Sequence, residues 1–242
     1  MQVTLQDKII LITGGTGGLG QALVRTFIRE KASVLFTFHS HNDRAVELEK
    51  LGARGFQADL SDRKSVNAFV DSVTKAERHL DGIIHNAGVS LDHTIANATE
   101  EEFDKSIEVN LTSVFRISRG LLPLLEKSKH AKILNVTSRV GLRGNFGQTA
   151  YSASKAGLIA LTKTMAAEWG EKGISVNAIT PGYVMSDMTR ILPEEIHEKM
   201  KKESYLGVIS EAKEVADFSA FLMSDQVTRV SGQIFHYDSR RI

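Results

Sequence analysis

The chain has no cysteine. That excludes a disulfide framework, a thiolate nucleophile and a thiolate-held metal, and no metal is expected at its site. It also has no apolar run long enough to span a bilayer, and Met1 to Lys8 is polar rather than an apolar leader; a cytoplasmic protein is expected. Charge of one sign is missing too. A net +1 over 242 residues gives no global field towards nucleic acid or membrane. No linker, repeat or low-complexity stretch interrupts the chain. A hydrophobic fraction of 42% and a charged fraction of 24% are ordinary for a soluble globular protein. One α/β domain over 1–242 is the expectation.

What is present alternates. Ile9–Ile12 is a short apolar run that reads as a strand buried on both faces, followed at once by a glycine-rich turn and a helical pattern from Gln21 to Arg29. Ser33–Phe38 reads as a second strand, Gly55–Ala58 as a third and Gly82–His85 as a fourth. Lys132–Thr137, Ile174–Ile179 and Gln233–Tyr237 complete about seven. Helical stripes lie between them: Ala45–Leu51, the face of Val66, Phe69, Val70 and Val73, a long segment 105–127 interrupted by Pro123, and Ala150–Trp169. Thr99 with Glu102 predicts a capping box, and Ser210 is read as the cap of a helix through Met223. This order predicts a Rossmann-type, doubly wound parallel sheet with helices on both faces, a three-layer αβα architecture. Residues 183–209 break the alternation with a charge-rich amphipathic stretch, either a lid over a site or a surface helix.

Strand, glycine turn, helix is the context in which a glycine motif points to a nucleotide. The loop Gly14, Gly15, Thr16, Gly17, Gly18, Leu19 and Gly20 packs five glycines into seven positions. Two registers fit, T-G-x-x-x-G-x-G on Gly14, Gly18 and Gly20, or G-x-G-x-x-G on Gly15, Gly17 and Gly20. Either brings backbone N–H groups and a helix start up to a pyrophosphate. At the end of the second strand the chain reads His39-Ser40-His41, with no acid until Asp43. An NAD-selective site places a carboxylate there. His39 and Ser40, with Arg44 in reach, therefore predict a moderate preference for NADP(H), with NAD(H) possible.

Tyr151 and Lys155 lie four apart near the start of a helix, with Ser138 thirteen residues earlier. At that spacing the two side chains share one helix face. An ammonium beside a phenol is expected to favour the phenolate and tune Tyr151 for proton transfer, with Ser138 as a second donor to the same oxygen.

Together, Thr13-Gly14-x-x-x-Gly18-x-Gly20, Asp59, Asn86-Ala87-Gly88, Asn110, Ser138, Tyr151-x-x-x-Lys155 and Pro181-Gly182 resemble the short-chain dehydrogenase/reductase family over nearly the whole length. Gly147-Gln148-x-x-Tyr151, Ala156-Gly157-Leu158 and Val176-Asn177-x-x-x-Pro181-Gly182-x-x-x-x-Asp187-Met188-Thr189 most resemble its 3-oxoacyl-(acyl-carrier-protein) reductases. The resemblance implies a catalytic set of Asn110, Ser138, Tyr151 and Lys155. Asp59 and Leu60 would meet the adenine, Asn86, Ala87 and Gly88 the adenosine ribose, and Lys155 with Tyr151 the nicotinamide ribose. Pro181 and Gly182 would lie near the nicotinamide and Val184 at its carboxamide. Ser138, Gln148 and Tyr151 would face the substrate. Asn110 would hold a water through its helix backbone, as a proton path to Lys155.

The implied activity is NADPH-dependent reduction of a 3-oxoacyl thioester, carried on acyl carrier protein, in fatty-acid or polyketide-type synthesis. A dehydrogenase of a small alcohol, sugar or other ketone is the rival, and a non-catalytic dinucleotide sensor a further one. A homodimer or homotetramer built on 105–127 and 150–169 is implied. Lys129, Lys132, Arg139, Arg143 and Lys172 are either a rim that steers an acidic carrier or a scatter of solvated charges. The chain also departs from the family pattern. His85 stands where a second Asn is common and is expected to be a buried, satisfied histidine. Gly17 replaces a common Arg or Lys, and Ser239-Arg240-Arg241 follows Asp238 where Gly-Gly is usual.

Overall fold

A computed structural model describes residues 3–185 and 187–240; the side chains of Asp187 and Met188, named in the resemblance, and Arg241 of the tail lie outside what it describes. In chain order the elements are β1 (Ile9–Ile12), α1 (Gly18–Arg29), β2 (Ser33–Phe38), α2 (Asn42–Lys50), β3 (Arg54–Gln57), α3 (Arg63–Ala76) and β4 (Gly82–His85). There follow α4 (Glu100–Ile107), a π turn (Glu108–Thr112), α5 (Ser113–Leu125), β5 (Lys132–Val136), α6 (Val140–Arg143), α7 (Thr149–Trp169) and β6 (Ser175–Thr180). The last part holds β7 (Val184–Met185), α8 (Asp187–Arg190), α9 (Glu194–Glu203), β8 (Ser210–Glu211), α10 (Ala212–Met223) and β9 (Ile234–His236).

Seven strands form one parallel sheet in the order β3-β2-β1-β4-β5-β6-β9. This is the Rossmann-type architecture expected. The short apolar strands alternate their side chains between two cores, which is why they are hydrophobic throughout. Ile10 and Ile12 enter one core with Leu23, Phe27, Val215 and Ala216, from α1 and α10. Leu11 enters the other with Val66, Phe69, Ile117, Leu121 and Trp169, from α3, α5 and α7. β1 lies between β2 and β4, so the winding reverses there and a crevice opens at the carboxyl ends of the strands.

Most expected boundaries hold within a residue or two. Ser33–Phe38 and Gly82–His85 agree with β2 and β4, and the Thr99–Glu102 capping box is present in both directions. Two expectations fail. The cap of α10 is Glu211, whose side chain and Glu214 form a reciprocal box, because Ser210 is drawn into an extended pair with Val184. The 105–127 segment is interrupted by the π turn at Glu108–Thr112, while α5 runs on past Pro123 to Leu125.

Candidate active site

The glycine loop follows β1 and turns back over the sheet. Gly14 has φ +69°, and a Cβ there would sit 2.9 Å from Ala87 Cα. A Cβ on Gly15 would strike Phe36 at 2.7 Å, and one on Gly20 would lie 2.0 Å from Gly14 O. These three positions exclude side chains on packing grounds, so residues of both registers are required. Gly17, by contrast, has room for a side chain, its nearest neighbour being Gly14 O at 3.5 Å. The 86–88 segment is bolted to this loop. Thr13 Oγ1 accepts from the backbone N–H of Asn86 and Ala87, both at 3.1 Å, and Asn86 Nδ2 donates to Thr13 O and Gly14 O.

Between these segments opens a cleft of about 480 Å³. Its walls include Gly14, Thr16, Gly17, Gly18, Leu19 and Gly20, then His39 and Ser40, Asp59 and Leu60, Asn86, Ala87 and Gly88, and Val184. Gly15 is turned away against Phe36. A pyrophosphate fits this cradle, since bare backbone lines the approach to the start of α1. Eight wall residues escaped the sequence reading as site residues: Thr37, Phe38, His41, Ala58, Ser61, Val89, Lys105 and Val109. Lys105 belongs to a helix read only for its apolar face, so no local signal marked it.

Asp59 shows how the fold adds what a strand-by-strand reading omits. Its carboxylate accepts from Ser61 N and Oγ at 2.8 and 2.6 Å. Those bonds to Ser61 hold it below the usual carboxylate range, helped by His39 and Lys105. His39 Nε2 lies 3.8 Å from it. A carboxylate from beyond β3 thus meets the end of β2, although β2 carries none. Arg44 Nη1 donates to Thr16 O at 3.3 Å, which brings its guanidinium to the glycine loop.

The catalytic candidates lie past Gly88. A Cβ on Gly88 would be 3.3 Å from Asn110 Oδ1 and 3.5 Å from Lys155 Nζ, so this wall residue lies directly against both side chains. Ser138 and Tyr151 are hydrogen-bonded through their hydroxyls. Burial pushes the Tyr151 phenol above its ordinary value, against the opposing bond from Ser138. Burial lowers the Lys155 ammonium to about 8. Lys155 Nζ donates to Val136 O at 2.8 Å and stands 5.6 Å from the Tyr151 ring centroid. The expectation that this ammonium favours the phenolate is therefore not met in the free protein. Desolvation dominates both groups, and the tyrosine is held as the protonated acid.

Asn110 sits in the π turn and is committed through its side chain. Its Oδ1 accepts from Val89 N at 2.8 Å, and its Nδ2 donates to Val89 O and to Ser154 Oγ. Ser154 Oγ donates in turn to Tyr151 O at 2.8 Å. Gln148 Nε2 is bonded to Asp92 Oδ2 at 3.0 Å, beside the candidate site. Pro181 is buried, and Gly182 has φ +71° with Asp238 packed on it. Among the described residues no His, Asp and Glu cluster suits a metal, and no helix is long and apolar enough to cross a membrane.

Three other readings change. His85 is buried with Nε2 bonded to Ser118 Oγ at 2.8 Å, but its Nδ1 has no partner, so it is only half satisfied. Lys132 is buried and holds the carbonyls of Leu222, Ser224 and Val227, and Arg139 is buried beside Glu203. Neither belongs to an exposed docking rim, and Lys172 is paired with Glu126.

A family model described as enoyl-(acyl carrier protein) reductase matches residues 14–239. The 3-oxoacyl-(acyl-carrier-protein) reductase FabG of Escherichia coli (strain K12) is 33% identical over 236 residues, 97% of each chain. Its counterpart from Thermotoga maritima is 36% identical over 239 residues, with the same coverage. A solved short-chain dehydrogenase/reductase from Serratia marcescens BCRC 10948 superposes with a TM-score of 0.91 at 28% identity, covering 98% of both chains. With a seven-stranded parallel sheet, a glycine-lined cleft and the Ser138–Tyr151–Lys155 constellation at its end, the chain belongs to the short-chain dehydrogenase/reductase family of NAD(P)-dependent oxidoreductases.

Proposed function

We propose that this protein reduces a 3-oxoacyl thioester, carried on acyl carrier protein, to the 3-hydroxyacyl form with NADPH. The observation that carries the reading is the hydroxyl pair of Ser138 and Tyr151 beside Lys155, one glycine away from the cleft. Reduced nicotinamide, when bound, supplies the hydride to the carbonyl carbon. Ser138 Oγ and Tyr151 Oη converge on the carbonyl oxygen, and two donors aimed at a developing oxyanion stabilise it where water is excluded. Tyr151 gives its proton to that oxygen, a role for which its raised pKa keeps it charged with a proton at neutral pH. Lys155 holds the nicotinamide ribose, and the Asn110–Ser154 bonds fix the helix that carries both groups. Proton replacement runs from solvent past Asn110 to Lys155 and Tyr151.

Gly14, Thr16, Gly17, Gly18, Leu19 and Gly20 are proposed to take the pyrophosphate, with Gly15 packing the loop against Phe36, and Asp59, Leu60, Asn86, Ala87 and Gly88 the adenosine. Pro181, Gly182 and Val184 take the nicotinamide end, and Gln148 the substrate. The 2′-phosphate is assigned to His39 and Ser40 with Arg44, whose guanidinium at Thr16 supports the choice of NADPH. Relatives named as 3-oxoacyl-(acyl-carrier-protein) reductases support the carrier, and a place in fatty-acid synthesis in the cytoplasm is proposed with it. The whole chain is taken as one domain with 183–209 as its lid, assembled as a dimer or tetramer across 105–127 and 150–169, where Phe115 is exposed.

The rival, a dehydrogenase of a small alcohol, sugar or ketone, is favoured by one observation: Lys132 and Arg139 are unavailable to an acidic carrier. The test is NADPH oxidation with acetoacetyl thioesters of carrier protein and of pantetheine, against a panel of simple ketones. A kcat/KM for the carrier thioester above that of every free ketone supports the proposal. Turnover of ketones alone selects the rival, and tight NADPH binding without any turnover selects a sensor.

A further inference from the structure

The tail beyond β9 is where the chain departs from its family, and it makes more contacts than a fraying terminus. A Cβ added to Gly182 would lie 2.3 Å from Asp238 Cγ, so that carboxylate is packed directly on the loop that follows β6. Arg240 clamps the same carboxylate. Its Nε lies 3.1 and 3.0 Å from the two oxygens, its Nη2 reaches Oδ2 at 2.9 Å, and its backbone N–H donates to Oδ1 at 3.0 Å. The pair is nearly enclosed, with side-chain exposures of 13% for Arg240 and 9% for Asp238. Forked pairing of this kind fixes geometry as well as charge.

The other side of the tail grips α9. Arg240 Nη1 lies 3.4 Å from Met200 Sδ, and Arg240 forms an antiparallel bridge with Ser204. Tyr205 N donates to Ser239 O at 2.7 Å, and the hydroxyls of Ser204 and Ser239 are 2.5 Å apart. At the same end of α9, Glu203 pairs with Arg139, the residue after Ser138, at 3.7 Å. Three consecutive residues thus tie the loop after β6 to the C-terminal end of α9, where that helix also meets Arg139 beside Ser138.

We propose that Asp238–Arg240 is an intramolecular latch, and that Arg240 is a positioning residue that holds the Pro181–Val184 loop and α9 in one arrangement for the reactive end of the dinucleotide. The inference rests on the assignment of that loop to the nicotinamide end. It does not depend on which carbonyl is reduced. A chain with Gly-Gly after the aspartate has neither the guanidinium nor the Ser239 hydroxyl, so the latch is a property of this tail.

The experiment compares the full-length protein with Arg240→Ala and Arg240→Lys by hydrogen–deuterium exchange and by NADPH titration followed by fluorescence, without a carbonyl substrate. In Arg240→Ala, peptides covering 181–185 and 194–206 are both expected to exchange at least about 10-fold faster, as a cooperative unit released together. The Kd for NADPH is expected to rise about 10-fold, because a loop displaced by an ångström no longer meets its ligand. Arg240→Lys keeps the charge without the fork and should fall between. Faster exchange confined to 236–240, or an unchanged Kd, would overturn the latch. Asp238→Asn, which keeps the shape on Gly182, is read by the same criteria if Arg240→Ala does not fold. Because no carbonyl is present, failure here is separate from failure of the 3-oxoacyl assignment.

Discussion

Replacing Lys155 with methionine should destroy turnover while making the free protein more stable. The ammonium is buried at 3% exposure and its pKa is lowered from 10.5 to about 8 by that burial. Holding it charged at neutral pH therefore costs the fold about 3 kcal/mol. Its one bond in the free protein, to Val136 O, returns about 1 kcal/mol. Methionine fills similar space without charge, so the net gain is about 2 kcal/mol, or a Tm increase of about 4–8 °C for a chain of this size. The pH dependence supplies an internal control. An unfolded lysine keeps its proton to about 10.4, whereas Lys155 in the fold releases it near 8. Between those values the unfolded state binds more protons, so wild-type stability rises with pH across that window. The variant should lack that part of the rise. Thermal unfolding without cofactor, at several pH values between 7 and 9.5, measures both effects. A lower Tm, or a pH slope equal to the wild type, would show that the buried ammonium is not a cost to this fold.

Three further outcomes are expected. Tyr151→Phe should lower kcat by about 100- to 10,000-fold, the range of a lost general acid, with NADPH affinity nearly unchanged in a fluorescence titration. Ser138→Ala, which removes one of two donors, should cost about 100-fold. Lys132→Met should lower Tm despite the equally depressed pKa of about 8, because it strands the carbonyls of Leu222, Ser224 and Val227, each at about 1–3 kcal/mol if unpaired. The ratio of kcat/KM for NADPH over NADH should exceed one and drop in His39→Asp, which places a carboxylate at the end of β2; a wild-type ratio below one would reassign the cofactor.

Features carried by neighbouring residues were legible in the sequence. The four-residue apolar strands, the Thr99–Glu102 box and the glycine turn before a helix each declare themselves within a dozen positions. What failed depends on partners distant in the chain. Ser210 has the chemistry of a cap, yet its pairing with Val184 makes it a strand residue and passes the cap to Glu211. Lys132 looks like a surface cation until the end of α10 and the turn after it bring three carbonyls to it from some ninety residues away. The π turn is invisible for another reason: one extra residue in a turn barely alters the apolar period.

The catalytic pair joins both kinds of failure. Spacing alone correctly set Tyr151 and Lys155 on one face of α7, and spacing alone suggested that the cation acts on the phenol. Burial decides otherwise. An ammonium with a backbone carbonyl at 2.8 Å already has an acceptor, and a phenol bonded to Ser138 in the same dry region loses more by ionising than a cation beyond its ring returns. The free enzyme therefore stores the proton on tyrosine, the state that carbonyl reduction needs, and the reverse reaction must first remove it. Which group holds the proton is thus set by the burial of two side chains, a property that no motif encodes.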